Sequence, residues 1–275
     1  MIVGLHAAYG EICTVKSKVI VFGVDGVRLD TLRYARTPFL DAVAAEGFLR
    51  EVRVPDVNAT WSGPCWSSVA TGVLADVHGV VDNKIDGRLR DIPCFLQRAS
   101  RAGLRTYAAA FWGPLLTDKA GGPIFRPDQA YVPPPSRGAH GGGDSHTDQL
   151  AADHAAKVLA VEDHDLALVY FGQVDTAGHD HGVSEAYVKA LERVDTLVGH
   201  VRDAIASRAT FDDEEWTCLV VTDHGHLDEG GHGGDTDVER TAWIAGCGPG
   251  AQAVDGQSLN HVDVPRLVLE PLGVA

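Results

Sequence analysis

The feature that most constrains this chain is a set of short, continuous apolar runs, rich in β-branched residues, that end at or beside aspartates. Lys18-Val-Ile-Val-Phe-Gly-Val24 stops at Asp25-Gly26, Leu166-Ala-Leu-Val-Tyr-Phe171 leads to Val174-Asp175, and Trp216 to Val221 runs into Thr222-Asp223. Unbroken apolar runs of this length are the pattern of strands buried on both faces, as in a parallel sheet covered by helices. Leu104 to Phe111 and Thr241 to Ala245 read as further strands. Between them lie helical patterns. Thr37-Pro38 opens one with Phe39, Leu40, Val43 and Ala44 on one face; Ser62 to Thr71 is another, closed by Gly72. Residues 95–103 and Thr147 to Val161 follow, and Ser184 begins a long helix with Tyr187, Leu191, Val194, Leu197, Val198, Val201 and Ile205 on one stripe. The alternation predicts an α/β fold with a mainly parallel sheet sandwiched by helices, compact and without a large cap domain.

With 275 residues, no internal repeat and no linker composition, residues 1–275 read as one domain. The Gly/Pro-rich segment 113–146 is the exception to regular patterning. It reads as a loop insertion, either a surface excursion or a cover over the active site. The formal net charge of −15 disfavours duplex nucleic acid or an anionic membrane as a partner. Cys13, Cys65, Cys94, Cys218 and Cys247 are scattered, odd in number and without a C-x-x-C pair, which reads as reduced thiols in a cytoplasmic protein. Met1 to Ser17 has no secretory pattern, and no run is long enough to span a membrane.

In an open α/β sheet, ligands bind at the carboxyl ends of the strands. Asp25, Asp175 and Asp223 would gather there with no adjacent basic residue, and three such carboxylates repel unless cations lie between them. Histidines accompany them: Asp175-Thr-Ala-Gly-His179 in a Gly-containing turn, Asp223-His224-Gly225-His226, and His232 within Gly230-Gly231-His232-Gly233-Gly234. Asp and His donors suit zinc, and also manganese or iron. A single Asp after a strand is commonly a cap or turn residue, but the whole set is hard to explain as caps. His181 and His226 read as bystanders, and His6, His140, His146, His154, His164 and His200 as solvated or capping residues.

At this point the sequence resembles the alkaline-phosphatase superfamily, in its nucleotide pyrophosphatase/phosphodiesterase branch, from Lys18 to Leu272. Val-Phe-Gly-Val-Asp25-Gly is similar to the strand that ends in a metal-binding Asp. Ser62-Gly-Pro64 with Thr71-Gly72 resembles the nucleophile helix, and His78-Gly-Val-Val-Asp-Asn83 the His-Gly…Asn segment. Asp175 to His179, Asp223 to Gly225, His232, Gly248-Pro-Gly250, His261-Val-Asp263 and Leu272-Gly273 resemble the remaining motifs in order. The resemblance implies Ser62 as nucleophile and Asn83 as donor to a phosphate oxygen, assisted by the Gly63 amide. It implies one metal on Asp175, His179 and His232, and another on Asp25, Asp223, His224 and the Ser62 oxygen. Two divalent ions, Zn2+ with Mn2+ as the alternative, would then serve a phosphodiesterase or pyrophosphatase that passes through a phosphoseryl intermediate on a small-molecule phosphate ester.

The chain also departs from that pattern. Ser62-Gly-Pro-Cys65-Trp66 replaces the branch's usual nucleophile surroundings; Thr60 is a fallback nucleophile, and Trp66 stands where sulfatases carry Arg. Trp61 and Trp66 are candidates for stacking on an aromatic substrate group, or for core packing. Arg28 is the candidate phosphate clamp. Alternatives on the same residues are a phosphomonoesterase or phosphonate C–P hydrolase, then a phosphate mutase, then a non-catalytic metal-binding protein.

Overall fold

The computed structural model describes residues 15–136, 144–254, 256 and 258–274. Its strands are β1 (Lys16–Val24), β2 (Phe48–Arg53), β3 (Thr106–Ala109), β4 (Gln129–Tyr131), β5 (Leu166–Phe171), β6 (Glu214–Val221) and β7 (Thr241–Cys247). The principal helices are α1 (Pro38–Glu46), α2 (Ser62–Thr71), α3 (Phe95–Arg101), α4 (Ser145–Val161), α5 (Gln173–His181), α6 (Glu185–Ala206) and α7 (Val264–Leu269). One seven-stranded sheet runs in the order β2-β7-β6-β1-β5-β3-β4. The β6-β1-β5-β3-β4 block is parallel; β7 pairs antiparallel with both β6 and β2.

The three apolar runs are the central strands because both of their faces are covered. Val19, Val21, Leu168 and Leu219 pack with Trp66 of α2, Phe95 of α3 and Leu267 of α7. The alternate residues Ile20, Phe22, Val169 and Val220 pack with Leu40 of α1, Ala151 of α4 and Leu191 of α6. A polar residue in either register would lose its water without a partner, so the runs contain almost none. Pairing of Val24 with Phe171 and of Gly23 with Val221 brings the carboxyl ends of β1, β5 and β6 level. The site is built at that edge.

The structure corrects several expectations. Asp175 does not end a strand. Strand β5 stops at Phe171, and Asp175 and His179 lie on α5 rather than in a turn. Their four-residue spacing puts them on one helix face. Strand β2 had no apolar signature because half of its six residues, Arg50, Glu51 and Arg53, are charged, as suits the sheet edge. Segment 113–146 contains a short helix, Gly113–Leu116, and strand β4. Its described part supports the 85–87 turn, with the Ile85 and Asp86 amides donating to the Ala120 carbonyl at 2.7 and 3.0 Å. Residues 137–143, on which the expected cover over the site partly rests, lie outside the described residues, as do the N-terminal segment to residue 14, His6, Cys13 and His140.

His164 is buried rather than solvated, and His154 stacks on Tyr131 at 3.8 Å and hydrogen-bonds to the Tyr107 hydroxyl. Among the described residues, no helix is long and apolar enough to cross a membrane.

Candidate metal centre and active site

Ser62 is the first residue of α2, and its buried hydroxyl sits where the amide dipoles of the helix favour negative charge. Its Oγ lies 3.5 Å from Asp25 Oδ1 and 3.4 Å from His224 Nε2. Asp25 follows β1. Its Oδ2 accepts from Trp66 Nε1 at 2.8 Å and from the Tyr170 hydroxyl at 2.7 Å, which leaves Oδ1 turned toward Ser62. Asp223 follows β6; its Oδ1 accepts from the Gly26 amide at 3.1 Å, while Oδ2 is buried without a hydrogen-bond partner.

The tautomer of His224 follows from its neighbours. Its Nδ1–H donates to the Gly225 carbonyl at 3.1 Å, so Nε2 carries the lone pair. That lone pair faces Asp223 Oδ2 at 3.2 Å and Asp25 Oδ1 at 3.5 Å. Lone pairs aimed at one another repel, unless a cation or a shared proton lies between them.

A second group adjoins the first. His179 Nε2 lies 3.6 Å from Asp175 Oδ1 and 2.9 Å from His232 Nε2. His232 Nε2 is 3.3 Å from Asp175 Oδ1, and its Nδ1–H donates to the Thr60 carbonyl at 2.7 Å. His226 Nε2 reaches Asp175 Oδ1 at 2.9 Å. Donor atoms of Asp175, His224, His226 and His232 all lie within 4.8 Å of one another, as do those of Asp25, Asp223 and His224. His224 belongs to both groups.

Electrostatics point the same way. Burial, then the charge of Asp175, pushes Asp25 up to about 7. Burial, then Asp25, pushes Asp223 well above the carboxylate range, and burial, then His232, holds His224 well below the usual imidazole range. Asp175 is also raised by burial, but hydrogen bonds from His226 and His232 outweigh it and hold the carboxyl low. At Asp25, Asp223 and His224, carboxyls that resist ionisation beside an imidazole that resists protonation are what a divalent ion would relieve. The unpartnered Asp223 Oδ2 and the inward lone pair of His224 fit such an ion, and mixed carboxylate–imidazole donors suit zinc or manganese.

The structure thus brings Asp25, Ser62, Asp175, His179, Asp223, His224 and His232 to one place. Asn83 is there too, with a correction to the role of Gly63. The Gly63 amide donates to Asn83 Oδ1 at 2.8 Å, so it is not free for substrate; instead it holds the Asn83 side chain by that oxygen. A Cβ at position 63 would meet the Asp82 carbonyl at 2.3 Å, so glycine lets the Asn83 segment approach. Thr60 is not placed as a nucleophile. Its hydroxyl donates to the Gly234 carbonyl at 2.9 Å and accepts from the Gly233 amide at 3.0 Å, holding the His232 loop. Trp66 is buried and committed to Asp25, so it cannot stack on substrate; Trp61 is 38% exposed and edge-on to His232 at 5.7 Å. The Arg28 guanidinium is committed to Asp30 and Asp228.

His181 is exposed, as a bystander would be, but His226 is not a bystander. It is buried beside Asp175, in space that glycine provides: a Cβ at Gly178 would meet its ring at 2.7 Å, and one at Gly26 at 2.8 Å. Those two glycines were the available signal. Tyr170 was missed because nothing in a strand residue's own sequence marks its hydroxyl as a partner for Asp25.

Fold and site together define a member of the alkaline-phosphatase superfamily. The type I phosphodiesterase / nucleotide pyrophosphatase family matches residues 19–234. The chain belongs to that family. Rattus norvegicus ectonucleotide pyrophosphatase/phosphodiesterase family member 7 is 27% identical over 229 residues, covering 76% of this chain and 49% of that protein. The chain therefore spans about half the length of the curated relatives it matches. A shorter similarity, 44% identity over 94 residues, covers 34% of this chain and 19% of a Metallosphaera sedula 2,3-bisphosphoglycerate-independent phosphoglycerate mutase. Among solved structures, murine ectonucleotide pyrophosphatase/phosphodiesterase 5 in complex with AMP superimposes with a TM-score of 0.72 at 16% identity, covering 94% of this chain and 96% of that one.

Proposed function

We propose that this chain is a single catalytic domain that hydrolyses phosphodiesters or nucleotide pyrophosphates, with Ser62 as nucleophile and divalent metal ions as cofactors. The observation that carries the reading is the position of Ser62 Oγ, at a helix N-terminus and 3.4–3.5 Å from both His224 Nε2 and Asp25 Oδ1. Asp25, Asp223 and His224 would hold one ion with the serine oxygen; Asp175, His179 and His232 would hold the other, with His226 as a further donor beside it. Bound there, the ions, zinc or alternatively manganese, supply the positive charge that lets a hydroxyl ionise near neutral pH and that neutralises phosphate oxygens.

The chain's own groups do the rest. The N-terminus of α2 favours the Ser62 alkoxide and the incoming phosphate. Asn83 Nδ2, oriented through its Oδ1, donates to a non-bridging oxygen. Serine attack forms a P–O bond and releases the leaving group, giving a phosphoseryl enzyme, and water then cleaves that bond. Trp61 offers an exposed aromatic face to the departing group. With Arg28 committed elsewhere, singly charged diesters suit the site better than doubly charged monoesters. The substrate is read as a small molecule. The free thiols at Cys65, Cys94, Cys218 and Cys247 are in keeping with the cytoplasm.

The test compares wild type and Ser62→Ala on bis-nitrophenyl phosphate, nitrophenyl phosphate, a nucleotide sugar and phosphonoacetate, with metal content measured in both. Wild type should prefer the diester or the nucleotide sugar, and Ser62→Ala should lose turnover while keeping its metals. Preference for the monoester or for phosphonoacetate would move the assignment to those activities on the same residues. Full activity in Ser62→Ala would refute the nucleophile.

A further inference from the structure

Strands β6 and β7 pair antiparallel with Cys218 opposite Cys247. Thr222, four residues on, donates its amide to the Trp243 carbonyl across the same ladder. Counting back in alternation makes Cys218–Cys247 a directly hydrogen-bonded pair of the kind whose Cα atoms stand about 5.5 Å apart. Disulfides form across Cα separations of roughly 4.4–6.8 Å. Both side chains lie on the same face of the sheet, in the same packed cluster, and both are free thiols.

The pair is also reachable. It lines a cavity of about 380 Å³ together with Phe39, Phe211, Trp216, Arg202 and Glu46. Arg202 and Glu46 form an ion pair at 3.5 Å whose side chains are 26% and 59% exposed, so the cavity opens to solvent at a charged rim. Cys218 and Cys247 are 5% and 6% exposed, whereas Cys65 and Cys94 are fully buried.

We propose that Cys218 and Cys247 form a redox-reactive dithiol that a low-molecular-weight disulfide converts to a covalent bridge between β6 and β7. One of the two, as thiolate, attacks one sulfur of the reagent; the reagent's S–S bond breaks and one thiolate leaves, taking a proton from solvent. The other cysteine then gives up its proton and attacks the first one's Sγ, releasing the second half of the reagent as a thiol. Two protein thiols are oxidised and one small disulfide is reduced to two thiols. The bridge closes the loop of residues 219–246, which carries Asp223, His224, His226 and His232. Cys218 itself lies roughly 16 Å along the strand from Asp223. Oxidation therefore limits the freedom of half of the candidate centre without touching it, and the proposal stands whether or not the catalytic reading does.

The test treats the reduced full-length chain with excess oxidised glutathione under native conditions. The expected result is an intact mass lower by two hydrogens, a single cross-linked peptide pair containing Cys218 and Cys247, and a melting temperature raised by about 5 °C. Dithiothreitol should reverse all three. Each single variant, Cys218→Ser or Cys247→Ser, should stop at one glutathione adduct on the remaining cysteine of the pair. Thiols that stay reduced in the folded protein, separate adducts on both cysteines, or a bridge to any other cysteine would each overturn the proposal. The mass and peptide map of the wild-type chain decide the matter even if a serine variant fails to fold.

Discussion

Trp66 Nε1 donates to Asp25 Oδ2 at 2.8 Å across 41 residues of sequence. The Tyr170 hydroxyl meets the same oxygen at 2.7 Å. Two donors on one carboxylate oxygen fix its rotation, so the other faces Ser62 and His224. Groups that orient a metal-binding carboxylate are worth about 10–100-fold in metal affinity. Tyr170→Phe and Trp66→Phe should each weaken divalent-ion binding by that factor, read by competition with a fluorescent chelator. Tyr170→Phe is the cleaner variant because it removes only a hydroxyl. Unchanged affinity in it would show that Asp25 needs no such support, or binds no ion.

His226 and Asp175 are in contact at 2.9 Å, and both are largely buried. His226→Gln should lower the measured metal content of the purified chain, with the remaining ion on Asp25, Asp223 and His224. Elemental analysis after gel filtration checks this. Full metal content would return His226 to a packing role.

Stripping the ions with a chelator should abolish turnover and lower the melting temperature. Asp25 and Asp223 would then face each other buried and uncompensated, and Asp223 Oδ2 has no other partner. Zinc or manganese added back should restore both, with a melting temperature that rises with ion concentration. A melting temperature indifferent to the chelator would contradict the assignment.

Asp148 of α4 accepts from the Gly172 and Gln173 amides at 3.1 and 3.0 Å, so it caps the start of α5, which carries Asp175 and His179. Burial pushes its carboxyl up to about 7. A pKa raised on folding contributes stability that is complete below about 4, where the unfolded carboxyl is also protonated, and that is lost as pH rises through about 7. Asp148→Asn removes this dependence. The stability of the variant relative to wild type, measured by urea unfolding, should therefore improve steadily between about pH 4 and pH 7. A constant difference would rule out the raised carboxyl.

Thr60 and Ser62 make opposite predictions for the same assay. Thr60→Val frees the Gly233 amide and loosens the His232 loop, so turnover should fall by about tenfold while a phosphoenzyme still forms. If Thr60 were the nucleophile, phosphoenzyme formation in Thr60→Val would vanish. Acid-quench trapping on a slow diester separates the two.

Some of this was legible in the chain because it is local. The runs at Val19 to Val24 and Leu166 to Phe171 declare buried strands without help, since no exposed strand needs apolar residues on both faces. Gly72 announces the end of α2, and its φ of +81° is the left-handed turn that glycine accepts most readily. Helix α5 was hidden because its sequence favours helix weakly and its cap comes from Asp148, on another helix. Strand β2 was hidden because its pairing with β7 stabilises charged residues that propensity would place in a loop.

The sequence by itself determined the order of the elements and the candidate cation-binding residues, because strand burial and motif spacing are properties of neighbours along the chain. Tertiary structure alone decided which of those residues share an ion-sized space. It recruited His226 and Tyr170, bound Arg28 to Asp30 and Asp228, and turned Thr60 and Trp66 into supports. The physical reason is that hydrogen-bond partners for buried groups come from whichever strand or helix packs alongside, and that choice is made by the sheet order β6-β1-β5 rather than by any local pattern.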